Sequence, residues 1–383
     1  MQIEALQRNE PLRQHEFPVV KTKIFLGHAG DCPLPRRVAQ AISDYAFHAA
    51  AGDQEAAIWP QAVETGRALG AQLLHCAPDE IAFVGPTSLA LSFFASGLRF
   101  RKGDNILVYH DDYPSNVYPW LALAEQGVQV RLLNTRSLGA IRSIDVLGQV
   151  DEQTKLVALA SCHFVSGYRL DYATIGAALR QRNILFCLDG IQTVGAFPMT
   201  MEAVDLLAAD AHKWLLGPCG AGLMFVKKDL QPQLNPPIYG WHNVRCPNFV
   251  TQEKIEFNSG AKKFEAGTHN LLGLVGLNEA MRMLLEVGVE NIAADLLHKR
   301  ALLVPALQAK GYTVLHADAG PVNASGIVTF FKPATDMAAV HQRLLDAHIV
   351  TSLRSDRQGQ RYIRLSPHFY NTDAELQRVL ELL

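Results

Sequence analysis

The stretch ILFCLDGIQTVG, residues 184–195, followed by LLAADAHKWLLGPCGAG, residues 206–222, decides the fold. Each opens as a short apolar, β-rich run and passes through an acid into a turn. A run that is apolar at every position, rather than at alternate ones, is what a strand buried on both faces requires. Asp189 therefore closes one buried strand, and the next one leads into His212 and Lys213 ahead of a glycine-rich turn.

Outward from this pair, runs of the same kind recur as IAFV (81–84), NILVYH (105–110), VQVRLL (128–133), LVALAS (156–161) and GLMFVKK (222–228). Helix-length amphipathic segments lie between several of them. In SLALSFFASGLRF (88–100), Leu91, Phe94, Ala95 and Leu98 share one face, and in DYATIGAALRQR (171–182) Ile175, Ala178 and Leu179 do. Strands alternating with crossover helices predict an α/β protein whose mostly parallel sheet is covered on both faces. After residue 230, QPQLNPPIYGWHNVRCPNF (231–249) is rich in Pro and Asn and predicts an irregular segment near a domain junction. Beyond it, LLGLVGLNEAMRMLLEVG (271–288) has helical spacing. The runs GIVTFF (326–331), HIVTSLR (348–354) and RYIRLS (361–366), with the helix MAAVHQRLLDAH (337–348), predict a smaller α+β unit. The expected organisation is an N-terminal segment, 1–20, packing with the small domain; a large domain, 21–270; and a small C-terminal domain, 271–383.

A chain of 383 residues, 49% of them hydrophobic, is long enough to divide into two domains. Its formal net charge of -2 supplies no basic field, so no nucleic-acid partner is expected. The N-terminus lacks an apolar h-region and no uninterrupted apolar stretch reaches bilayer length, which predicts a cytoplasmic protein with no membrane partner. The six cysteines form no CxxC pair and no Cys/His spacing suited to a metal, so they read as reduced thiols and no metal site is expected.

In an open α/β sheet, ligands sit outside the carboxyl ends of the strands. Asp189 and Lys213, held at neighbouring strand ends, can grip opposite poles of one flat ligand. For a pyridine-type cofactor, a carboxylate at the ring nitrogen keeps that nitrogen protonated, so the ring can absorb charge left at Cα. A desolvated lysine, its pKa lowered, supplies the amine for a Schiff base and a proton shuttle.

The succession DGIQTVG, ADAHKW and GPCGAG resembles the class V aminotransferases among the fold-type I pyridoxal phosphate enzymes, a group that includes cysteine desulfurases and isopenicillin N epimerase. The resemblance runs from FLGHAGDCPLP, starting at residue 25, to RLSPHFYN, ending at residue 371. It implies a large domain with a mostly parallel seven-stranded sheet and a smaller α+β C-terminal domain. The implied cofactor is pyridoxal 5'-phosphate, held as a Schiff base on Lys213, with Asp189 at the pyridine nitrogen, Gln192 on the ring 3'-oxygen and His212 reaching the phosphate. FVGPTSLAL (83–91) resembles the family's phosphate cup, with Thr87 and Ser88 as the hydroxyl residues at a helix start. YHDDYPSNVYPW (109–120) resembles the segment that lays an aromatic or histidine side chain over the ring, here Tyr113, with Asn116 holding the loop. Desulfurases carry histidine at that place. FEAGTHN (264–270) resembles the segment lending a phosphate ligand, here Thr268, to the neighbouring subunit, which implies a homodimer with shared active sites. Arg364 stands where the family binds the substrate α-carboxylate, and Arg354 resembles a second arginine of the small domain. His163 and Phe164 fall beside the cofactor in the resemblance, with His28, Trp241 and His242 as further pocket candidates.

The cofactor alone does not choose the reaction. The resemblance implies an aminotransferase acting on the α-amino group of a small amino acid, with a lyase or epimerase as the alternative and an inactive cofactor-binding scaffold as the non-enzymatic one. Desulfurases deliver a nucleophilic cysteine on a loop just before the carboxylate arginine. Between Arg354 and Arg364 this chain reads SDRQGQRYI, without cysteine, so sulfur relay through a persulfide is not expected. A nucleotide-binding Rossmann reading ranks last, because no GxGxxG follows the first strand.

Overall fold

Strands that bury both faces need neighbours on both edges and helices above and below. The computed structural model describes residues 2–56 and 58–383 and meets that need with one large sheet. A short strand β1 (Ile24–Phe25) precedes it. The sheet comprises β2 (Ile81–Phe83), β3 (Asn105–Val108), β4 (Gln129–Leu132), β5 (Thr154–Ala160), β6 (Leu185–Asp189), β7 (Leu206–Asp210) and β8 (Gly222–Val226), in the order β2-β8-β7-β6-β5-β3-β4. All pairings are parallel except those of β8, which runs against β7 and β2.

Successive residues serve opposite layers. Phe186 and Leu188 of β6, with Leu207 and Ala209 of β7, join one buried cluster; Cys187, Leu206 and Ala208 join another. The first layer is roofed by helices Gln61–Leu74, Tyr172–Gln181 and Leu271–Val287, the second by Thr87–Gly97. Each fully buried Leu or Phe contributes about 1.5–3 kcal/mol of apolar burial, which is why these strands read as unbroken apolar runs.

The C-terminal unit is a four-stranded sheet of β9 (Thr313–Val314), β10 (Val328–Phe331), β12 (Ser352–Ser355) and β13 (Arg361–Leu365), ordered β12-β13-β10-β9; β11 (Ile349–Val350) pairs instead with β1. Helices Val289–Ala309, Met337–Asp346 and Asp373–Leu382 contribute to its core. The short helices Ile3–Arg8 and Glu10–Glu16 are tied toward the C-terminal residues: Arg13 pairs with Glu375 at 2.7 Å and Gln7 donates to the Phe369 carbonyl at 2.7 Å. The packing departs from the expected boundary after residue 270. Helix Leu271–Val287 lies against helices Arg36–Ala50 and Gln61–Leu74, and its Leu277, Met281 and Leu284 belong to the large sheet's cluster. A turn at Gly288, whose φ of 87° only glycine adopts freely, leads into helix Val289–Ala309, whose Val289, Ile292 and Leu296 stay in that cluster while Leu303 and Leu307 join the small sheet's.

Candidate active site

Residues far apart in sequence converge beyond the carboxyl ends of the parallel strands. One cavity of about 190 Å3 there is lined by Asp189, Lys213, Thr87, Tyr113, Arg354 and Arg364, among others. Asp189 and Lys213 therefore do face a common ligand space.

The supports follow from the strand ends. Asp189 ends β6; its carboxylate accepts the Ile191 N–H at 3.1 Å. Burial raises its pKa to about 6, although Lys213 pulls the other way. Lys213 follows β7 and is itself buried, which lowers its amine to about 8; Asp189 works against that fall, and the Arg364 and Arg354 cations add to it. Both shifts have the sign of burial, so desolvation outweighs mutual attraction. Nearly half exposed, Tyr113 sets its ring centroid 5.2 Å from the Lys213 Nζ and packs edge-on against Phe164 at 5.3 Å.

At the other end of the cavity, helix Thr87–Gly97 starts without a side-chain cap. Its first N–H groups are the kind that bind an anion. Thr87 Oγ1 accepts the Asp210 N–H at 2.9 Å, locking this helix start to β7, and Ser88 Oγ lies 2.7 Å from Ser115 Oγ. His212 lines the same wall with Nδ1 2.9 Å from an Asp210 carboxylate oxygen.

The small sheet supplies the cations. In the β12–β13 ladder Ser352 faces Arg364 and Arg354 faces Tyr362, so Arg354 and Arg364 are diagonal neighbours on one face. A Cβ on Gly30 would stand 3.5 Å from Nη2 of both. Arg364 is wholly buried and donates to the Phe164 carbonyl and, at 3.2 Å, to Ser352 Oγ. Burial, then the neighbouring Arg354 charge, lower its pKa to about 9.

Several expected residues do not reach this wall. His28 is fully buried, with Nδ1 2.9 Å from the Ser366 carbonyl and Nε2 2.8 Å from the Tyr370 hydroxyl, so both nitrogens are spent on the fold. His163 is likewise engaged, by Ser166 Oγ at 3.0 Å and the Asp111 carbonyl at 2.9 Å. Gln192 stands behind the wall: its oxygen accepts the Trp214 indole N–H at 2.8 Å and its amide donates to the Ala29 carbonyl at 3.0 Å, leaving one N–H. Trp241 and His242 pack with Trp59, at 6.4 and 5.8 Å between centroids, in a separate cluster. Thr268 lines a different cavity, of about 210 Å3, with Gly85, Gly220 and His269.

Three residues were missed. Asp112 is buried, its carboxylate accepting N–H groups from Tyr113, Asn116 and Ala160 at 2.8–3.1 Å, and burial, then Asp189, raise its pKa to about 7. It fastens the Tyr113 loop to β5. Asn116 completes that loop by accepting the Trp120 indole N–H at 3.2 Å. Ser115 and Asp210 also line the cavity. The only signals were the acid pair beside Tyr113 and an acid ending the strand before His212. Although no metal site was expected, His242, Glu265 and His269 bring ligand atoms within 4.8 Å of one another. The Glu265 oxygens are already taken by the Phe83 N–H, Arg67 and His269, and Arg67 puts a positive charge where a cation would have to sit.

The aminotransferase class V family model matches residues 24–379, and the chain belongs to that family. Pyridoxal 5'-phosphate is its cofactor. A probable cysteine desulfurase of Methanothermobacter thermautotrophicus is 28% identical, the match covering 98% of this chain and 97% of that one. An uncharacterized aminotransferase of Bacillus subtilis, YcbU, is 26% identical over 95% of each. Among solved structures, the apo cysteine desulfurase of Thermococcus onnurineus superposes with a TM-score of 0.88 at 21% identity, covering 97% and 96%. The cystine C-S lyase C-DES, in complex with its product cysteine persulfide, does so with 0.86 at 22%, covering 95% and 98%. The cavity suits the cofactor on its own chemistry: a buried acid, a buried amine of lowered pKa, an aromatic face and an uncapped helix start enclose one space.

Proposed function

We propose that this protein is a C–S lyase that cleaves the Cβ–S bond of a cysteine-derived amino acid by β-elimination. The observation that carries this reading is the turn between β12 and β13. Ser355 pairs with Arg361, so only residues 356–360 join the strands, and neither they nor any described residue lining the cavity is a cysteine. Sulfur then leaves as a diffusible thiol. The desulfurases among the relatives, and the C-S lyase fold neighbour, favour chemistry at sulfur over amino transfer, against the aminotransferase expectation.

Bound, the cofactor supplies an electron sink for charge left at Cα. Lys213 would carry it covalently, Asp189 would keep its ring nitrogen protonated and Tyr113 would cover its face. Thr87, Ser88 and His212 would hold its phosphate, and Gln192 would offer its remaining N–H. Arg364 would hold the α-carboxylate, fixing the Cα–H toward Lys213. Lys213 takes that proton. The Cβ–S electron pair departs with sulfur, which gains a proton to become a thiol, and water converts the remaining unsaturated amine to pyruvate and ammonia. The matching assembly is a homodimer in which Thr268 of one subunit serves the cavity of the other; support comes from its absence from the Lys213 cavity of its own chain.

Incubation of the loaded enzyme with S-ethyl-L-cysteine is expected to give ethanethiol, pyruvate and ammonia in equal amounts. Alanine formed from cysteine would overturn the reading in favour of desulfuration. Amino transfer to an added keto acid, without thiol release, would overturn it in favour of transamination.

A further inference from the structure

Donor supply in the cavity exceeds what one α-carboxylate can take up. Arg354 has no hydrogen-bond or ion-pair partner among the described residues, and its Nε is buried. Arg364 gives two N–H groups to Phe164 and Ser352 and also keeps a buried, unpartnered Nε. Two guanidinium groups with those bonds subtracted keep roughly eight N–H donors, more than the roughly four lone-pair sites of one carboxylate, and the Nε of each is buried without a partner. Buried donors and charges left without partners are costly, so a surplus of this size calls for a further acceptor.

Charge gives the same answer. Two cations stand side by side with no acid paired to either, so one monoanionic group would leave a net positive charge between them. The acids that line the cavity are otherwise engaged: Asp210 accepts from His212 and from the Ala211 N–H, and Asp189 faces Lys213.

From this surplus we infer that the substrate carries a second anionic group, a carboxylate, sulfinate or sulfonate at the end of its sulfur-borne side chain, and that Arg354 receives it. Position supports the division of labour. Arg364 is fully buried, while Arg354, its diagonal neighbour on the hairpin, is partly exposed. An amino acid entering with its α-carboxylate on Arg364 extends its substituent outward past Arg354. Arginine's planar fork suits such oxyanions, and its exposed edge leaves room for chains of more than one length.

This inference rests on the C–S lyase reading for the identity of the substrate, and on the two arginines alone for the second charge. Its test compares S-carboxymethyl-L-cysteine with the near-isosteric S-ethyl-L-cysteine, on loaded wild type and on Arg354→Gln. Binding is read as the change in cofactor absorbance with ligand, and cleavage separately as pyruvate. Wild type should bind the dianionic ligand at least tenfold more tightly than the monoanionic one, and Arg354→Gln should bring that ratio close to one. Equal affinities in wild type would overturn the inference. So would an equal loss for both ligands in Arg354→Gln, which would place Arg354 on the α-carboxylate, or loss of the cofactor from that variant, which would place it on the phosphate. An Arg354-dependent preference in binding with no pyruvate from either ligand sustains the second anionic subsite and removes the lyase reading alone.

Discussion

Two buried groups of charged residues in this molecule behave oppositely. Around Glu265 both carboxylate oxygens are taken: they accept from the Phe83 N–H at 2.8 Å, from Arg67 at 2.5 Å and from His269 at 2.9 Å, and Arg67 also reaches the Ile81 carbonyl. Burial would push that carboxyl up, yet His269 and Arg67 outweigh it and hold the group below its ordinary value. Around Lys213 the signs reverse. The acid is raised, the lysine and the arginine are lowered, and each shift has burial as its first cause. A charged cluster that completes itself stabilises its charged forms; one that waits for a ligand does not.

The largest effect that can break this contrast is Lys213→Ala. It should abolish the visible absorbance of lysine-bound cofactor together with all turnover, and turnover that survived would remove the lysine from the chemistry. Glu265→Ala tests the other pole. By stranding Arg67 in the interior, it should cost about 3–5 kcal/mol of stability, seen as a lowered urea midpoint. An unchanged midpoint would mean that the cluster is no structural pair.

The smallest effect lies in pH. Only the neutral amine attacks the cofactor aldehyde, and the Lys213 pKa lies near 8, so the rate of cofactor capture by apoenzyme should rise about tenfold per unit as pH climbs toward 8 and level off above it. A plateau reached only above pH 10 would restore an ordinary lysine. Asp189 acts at the opposite end: with its pKa near 6, it becomes protonated as pH falls below that value, and under the proposed pairing with the ring nitrogen cofactor retention should weaken there. In the same sense, a lysine lowered in the fold makes apoenzyme stability rise as pH moves from about 8 toward its ordinary value of 10.5.

The sheet was legible in the sequence because strands covered on both faces carry no polar alternation, and the convergence of Asp189 and Lys213 on one cavity was legible because they follow neighbouring strand ends, although either alone could be a cap or a surface charge. His28, His163 and Trp241 were not. An aromatic residue near a motif can face the cavity, as Phe164 does, or turn into the fold, as His28, His163 and Trp241 do, and only packing decides. Asp112 hid in an acid pair that reads as a turn. The side on which helix Leu271–Val287 packs was not legible, because an apolar stretch at helical spacing can pack on either unit equally well by pattern. The short turn after Arg354, which carries no cysteine, was visible from the start.

Strand β8 is the last of the seven in sequence and alone joins β2 to β7. Thr87 and Asp210, 123 residues apart, touch across that junction. This contact at the start of helix Thr87–Gly97 thus forms only once β8 is made and the most distant strands have met, a non-local closure of the chain. Any ligand that binds only the closed arrangement therefore adds to the stability of the finished sheet by mass action.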